Sequence, residues 1–151
     1  MPQSLAQIYL HIVFSTKHRQ PFLKDKALRE RMHGYLVGIC RNLKCPSLIV
    51  GGVADHVHLL TRHSKNITIA EFLRVLKRES SKWIKTIDPA LALFYWQTGY
   101  GAFSVSPSHV MAVKKYIANQ EAHHHSESFQ DEYRRICRKY GVEIDERYVW
   151  D

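Results

Sequence analysis

The chain has 151 residues, 45% of them hydrophobic and 24% charged, which is the balance of one folded domain spanning residues 1–151 rather than of a disordered tail. Twenty-two Lys and Arg against fourteen Asp and Glu leave a formal net charge of +8, so the natural partner is a polyanion, with nucleic acid first among the choices. The longest unbroken apolar run, Ala90 to Trp96, falls far short of the roughly 20 residues of a spanning helix, which argues against a membrane protein.

The N-terminal residues lack a basic stretch followed by an apolar block, so the expected location is the cytoplasm. Cys40, Cys45 and Cys137 are odd in number and form no Cys-x-x-Cys pair, and they read as reduced structural thiols rather than a disulfide framework or a thiolate zinc site.

In chain order, Ile8 to Ser15 alternates between two faces, with Ile8, Leu10, Ile12 and Phe14 on one and Tyr9, His11, Val13 and Ser15 on the other, the period of a strand. Leu28, Met32, Tyr35, Leu36, Ile39 and Leu43 then recur at helical spacing, and Pro46 ends that helix. Ser47 to Val53 and His56 to Arg62 form a hairpin joined near Ala54 and Asp55. Ile69, Phe72, Leu73, Leu76, Ser80, Trp83, Ile84 and Ile87 make one stripe of a second helix, which Thr68 and Glu71 open as a capping box.

A fourth strand follows around Tyr100 to Val105, and Ser106-Pro107-Ser108 starts a helix edged by Val110, Val113 and Ile117. A last helix, about Phe129 to Tyr140, carries Phe129, Tyr133, Ile136 and Tyr140 on one face and stops at Gly141. The order β-α-β-β-α-β with two helices appended predicts an α+β protein of ferredoxin-like split βαβ type. Its antiparallel sheet carries two helices on one face and is open on the other, and the C-terminal helices carry Tyr116.

The chemistry sits in two short segments. His56 and His58, two apart on a strand, point to one face and can converge on one cation, while Val57 and Leu59 face the core. The plainer alternative is a pair of histidines on a solvated sheet face. Tyr116 and Gln120 lie one helical turn apart, and of the eight tyrosines Tyr116 alone has a plausible metal ligand four residues on. A tyrosine packed beneath a surface helix is the competing account of that spacing. The triplet His123-His124-His125 could also take up metal, but its place just past Gln120 at a helix end favours an exposed polar patch.

His56-Val57-His58 upstream of Tyr116-x-x-x-Gln120, in a basic chain of this length, resembles the single-tyrosine HUH transposases of small bacterial insertion sequences, including relatives associated with repetitive extragenic palindromes. The similarity extends to His11 through Arg19, Leu76 through Ser81, and Trp96 through Tyr100. The resemblance implies Tyr116 as the nucleophile, His56, His58 and Gln120 as ligands of Mg²⁺ or Mn²⁺, and a covalent 5′-phosphotyrosine intermediate. It further implies a homodimer acting on single-stranded DNA with hairpins, often with the tyrosine helix of one subunit set against the histidines of the other.

Lys17 and Arg19 after the first strand, and Arg74, Lys77, Arg78 and Lys82 on the second helix, are candidates for tracking phosphates, against the alternative of a solvated basic face. Two other functions fit the same order of elements. A non-catalytic RNA-binding module would place aromatics on its central strands, where this chain has histidines. A domesticated relative would still cleave palindromic DNA but mobilise nothing.

Overall fold

The computed structural model describes residues 2–151. Four strands, β1 (Ile8–Ser15), β2 (Ser47–Val53), β3 (His56–His63) and β4 (Gly101–Val105), form one antiparallel sheet in the order β2-β3-β1-β4. This is the ferredoxin-like arrangement expected from the sequence. The central pair β1 and β3 runs in register from Ile8 opposite His63 to Ser15 opposite His56. Residues opposite one another share a face, so the period-two alternation divides the sheet cleanly.

One face carries Leu10, Ile12, Phe14, Val57 and Leu59, which pack against α1 (Lys26–Asn42) and α2 (Ile69–Ile87) in the main core. Asp25 caps α1 by accepting from the Ala27 amide, and Thr68 caps α2 by accepting from the Glu71 amide at 3.1 Å. The other half of the expected capping box is replaced, because the Glu71 carboxylate turns to Arg74 instead. Trp96 closes the edge of this core, its indole N–H donating to the Ser80 hydroxyl at 2.9 Å.

The opposite face, expected to be open, is roofed. Three helices cover it: α3 (Val110–Ala118), the short α4 (Gln120–His123) and α5 (Phe129–Lys139). Val13 and Phe103 pack against Phe129, Tyr133, Ile136 and Cys137 of α5, while Leu60 and Val105 pack against Ile117 of α3. The reason is apolar area: these sheet residues would otherwise face water, at a cost of about 25 cal/mol per Å².

Helix α5 ends as its glycine predicts. Gly141 adopts φ 68°, and the amides of Gly141 and Val142 return to the carbonyls of Arg138 and Cys137. Beyond it, Ile144, Val149 and Trp150 pack on the α5 cluster. Backbone carbonyls of this tail accept from the Arg19 guanidinium and the Thr98 amide, so the segment past the recognisable motifs straps α5 to the sheet. All three cysteines are free and buried, in keeping with a structural role. Among the described residues, no helix is long and apolar enough to cross a membrane.

The roof lies close because of one glycine. Gly51 on β2 pairs with His58 on β3, and a Cβ there would stand 2.8 Å from the backbone carbonyl oxygen of Ile117 on α3. Replacing it by alanine must displace α3, since backbone cannot rotate out of the way as a side chain can. Gly51→Ala is expected to cost about 1–3 kcal/mol in chemical denaturation, the range for overpacking a close contact. A melting curve superimposable on that of the parent would show that α3 does not depend on this approach.

Candidate active site

The sheet pattern places His56 and His58 on the roofed face, and both side chains are fully buried rather than solvated. Each ring is held by its far nitrogen. His56 Nδ1 lies 2.7 Å from Asp55 Oδ1, and His58 Nδ1 lies 2.8 Å from Nε2 of His11, a neighbouring β1 residue on the same face. Such outer partners fix tautomer and ring direction, as they do for histidines that ligate metals. The near nitrogens then point into the space beneath α4 and α5.

Gln120 and Tyr116 reach this space from above. They do not share one continuous helix: α3 ends at Ala118, Asn119 leaves helical geometry at φ −99° and ψ 18°, and Gln120 begins α4. The four-residue spacing nevertheless brings both inward. Gln120 Oε1 lies 3.2 Å from His56 Nε2, and the Tyr116 ring stands edge-on to that of His58 with centroids 5.9 Å apart. All four residues singled out from the sequence therefore meet in one place.

At the centre stands a residue the sequence reading passed over. Glu132 of α5 has no exposed surface. Its Oε1 lies 3.0 Å from His58 Nε2, 3.0 Å from His124 Nε2 and 3.3 Å from His56 Nε2. Its Oε2 accepts from the Tyr116 hydroxyl and from the Gln120 amide nitrogen. Arg135, one turn further along α5, donates to the Tyr116 oxygen at 2.8 Å. The signal was present but unread, because Glu132 falls at the helical positions of the apolar stripe of Phe129, Tyr133 and Ile136, where a charge needs a partner. The histidine triplet also departs from expectation: His125 is exposed, but His123 and His124 turn inward to Glu127 and Glu132.

The donor set suits a divalent cation. Imidazole nitrogens, a carboxamide oxygen and a carboxylate oxygen converge with their far atoms already engaged, and His56, His58, His124 and Glu132 form a group of compatible spacing. Burial and hydrogen bonds set the protonation of these groups. Burial opposes charge on His56, but the hydrogen bonds to Asp55 and Glu132 outweigh it and raise its pKa to about 9. Burial prevails at His58, lowered to about 4, and at His11, lowered to about 3. Glu132 is held well below the carboxylate range: burial pushes it up, but the hydrogen bonds from His124, His56 and His58 pull harder. Burial and the Glu132 carboxylate raise the Tyr116 phenol above its ordinary value, so the neutral O–H form persists.

The model of the IS200-like transposase family matches residues 4–120 of this chain, a span that contains His56, His58, Tyr116 and Gln120. The chain belongs to that family. Among solved structures, this transposase is similar to a candidate transposase from Deinococcus radiodurans R1, with TM-score 0.62 and 22% identity over 80% of this chain and 95% of that one. It is also similar to a REP-associated tyrosine transposase bound to a REP hairpin, with TM-score 0.56 and 12% identity over 82% of this chain and 73% of that one. At these identities both likenesses speak for the fold. No curated protein matches the chain.

The basic candidates of this transposase fall into two groups. Lys17 and Lys82 are exposed, with side chains open to solvent. The others are engaged. Arg74 pairs with Glu71 and Arg78 with Glu79, Arg19 donates to the Trp150 carbonyl, and the Lys77 ammonium contacts the carbonyls of Gln97, Thr98 and Gly99 at 2.9, 3.2 and 2.6 Å. Burial lowers the Lys77 pKa to about 8, so this lysine works mainly as a clasp on the loop before β4. Helix α2 lies across the sheet from the histidines, so its cations are remote from Tyr116.

These titrations set the pH range of stability. His56 has a folded pKa above the unfolded value of about 6.5, so its contribution is complete below that pH and is lost as pH rises towards 9. His11, His58 and His33, the last lowered to about 4 by burial, are refused protons that the unfolded chain accepts, and stability falls as pH drops below about 6.5. Urea unfolding in EDTA should therefore give maximal stability near pH 6.5, with a steeper loss on the acid side. A flat profile between pH 4 and 6.5 would contradict buried neutral histidines.

Proposed function

We propose that this IS200-like transposase cuts and rejoins single-stranded DNA through a covalent 5′-phosphotyrosine at Tyr116, with Mg²⁺ or Mn²⁺ held by His56, His58 and Gln120. The observation that carries the reading is the convergence on Glu132: one carboxylate touches both the Tyr116 hydroxyl and the buried histidine pair. A phenol and a set of cation ligands thus share one site within a single chain.

The residues divide the work. Tyr116 Oη forms a bond to the phosphorus of the scissile phosphodiester, its proton is lost, the bond to the 3′-oxygen breaks, and that oxygen leaves as a hydroxyl after taking a proton. Attack by a freed 3′-hydroxyl on the phosphotyrosine reverses these events and rejoins strands without an external energy source. When bound, the divalent cation would supply positive charge to a nonbridging phosphate oxygen and the departing 3′-oxygen. Asp55 and His11 orient the two imidazoles, and the Arg135 guanidinium beside the phenol favours its ionised form as attack proceeds.

Hairpin recognition is part of the proposal, supported by the likeness to a tyrosine transposase bound to a REP hairpin. Lys17 and Lys82 are the cations best placed by exposure to meet phosphate, with Arg74 and Arg78 available by exchange from their weak, solvent-screened surface pairs. The homodimer expected of the family belongs to the same reading. The RNA-binding alternative loses ground, because the sheet face it would present is covered by α3–α5.

Incubation with a hairpin-bearing single-stranded oligonucleotide and Mn²⁺ or Mg²⁺ should leave a protein–DNA adduct that survives denaturing electrophoresis, and Tyr116→Phe should abolish it. Adduct formation undiminished in that variant would refute the nucleophile. Light scattering on the purified protein should give twice the chain mass, and a monomer mass at working concentration would remove the dimer from the proposal.

A further inference from the structure

We infer that Glu132 and His124 are themselves ligands of the divalent cation, a carboxylate and a third imidazole supplied from beyond the family match. The inference rests on the reading of His56, His58 and Gln120 as cation ligands and deepens it. It comes from the convergence of ligand atoms on one buried point. The Asp55 carboxylate can only accept, so His56 carries a proton on Nδ1, and its Nε2 faces Gln120 Oε1 and Glu132 Oε1 at 3.2 and 3.3 Å.

His124 repeats the pattern independently. Its Nδ1 lies 2.6 Å from the Glu127 carbonyl oxygen, which also only accepts, so the proton is again fixed on the far side. Its Nε2 then faces Glu132 Oε1 at 3.0 Å. Gln120 is oriented the same way, for its amide nitrogen donates to Glu132 Oε2 and its oxygen is left for the shared space.

Candidate ligand atoms of His56, His58, His124, Gln120 and Glu132 thus face one another in one buried volume, with their outer atoms already engaged, an arrangement suited to surround a positive charge. Neighbouring ligands of a six-coordinate ion with bonds of ~2.1 Å stand ~3.0 Å apart, close to the spacing from Glu132 Oε1 to the His58 and His124 nitrogens. A carboxylate among imidazoles is a hard ligand of the kind Mg²⁺ and Mn²⁺ favour. Because the other Glu132 oxygen accepts from the Tyr116 hydroxyl, the same residue sets the phenol beside the ion.

The test is calorimetric titration of the full chain with Mn²⁺ alone. Glu132→Gln, which keeps size and hydrogen-bonding capacity, should weaken Mn²⁺ binding at least tenfold, and any smaller effect would overturn the assignment of Glu132. Electron spin-echo modulation of Mn²⁺ bound to the unmutated protein should count three imidazole nitrogens, and two would remove His124 without depending on whether a variant folds. His56→Ala serves as the reference. If it too binds Mn²⁺ like the parent, the histidine-pair reading itself falls; if it loses binding while Glu132→Gln does not, only the extended ligand set is overturned.

Discussion

A carboxylate with no exposed surface stands among three imidazoles and a carboxamide, and the roof of the molecule is organised around it. Burying such a charge unpaired costs several kcal/mol, so Glu132 stays in place only while its neighbours supply hydrogens or positive charge. The apolar stripe of α5 supplies the rest of the docking energy, through Phe129, Tyr133 and Ile136 against Val13 and Phe103. Removing the carboxylate and removing its partners are therefore different perturbations. The first relieves a buried charge; the second strands one.

The sheet separates structural work from chemical work by alternation alone. Along β3, Val57 and Leu59 enter the core beneath α1 and α2, while His56 and His58 enter the site. Along β1, Ile12 and Phe14 go one way, and His11 goes the other to hold the His58 ring. A one-residue slip in the pairing of β1 with β3 would send every one of these side chains to the wrong side. Register is thus the first condition for the site, and the continuous pairing from Ile8 to Ser15 secures it.

Much of this was legible in the sequence. Strand and helix patterning located all four strands and both helices of the main core, whereas spacing put His56 with His58 and Tyr116 with Gln120 but only the family resemblance joined the two pairs in one site. What periodicity does not disclose is where an amphipathic helix docks. The α5 stripe gave a helix but no partner, so the sheet face read as open, and Glu132 lay hidden because a single acidic residue in a stripe looks the same whether it ends in water or among imidazoles. Helix continuity misled in a milder way: Asn119 interrupts the turn between Tyr116 and Gln120, which their four-residue spacing cannot register.

The clasp formed by Lys77 bears on how strongly the protein can attract a strand from a distance. Its charge is drawn inward onto three carbonyl oxygens, and Arg74 and Arg78 face acidic neighbours on their own helix. Each phosphate neutralised by a free cation releases counterions and steepens the dependence of log affinity on log salt by about 0.7 for single strands. Exposed Lys82 is then the candidate on α2 left to steepen that dependence, so this helix adds less to electrolyte sensitivity than its count of Lys and Arg suggests.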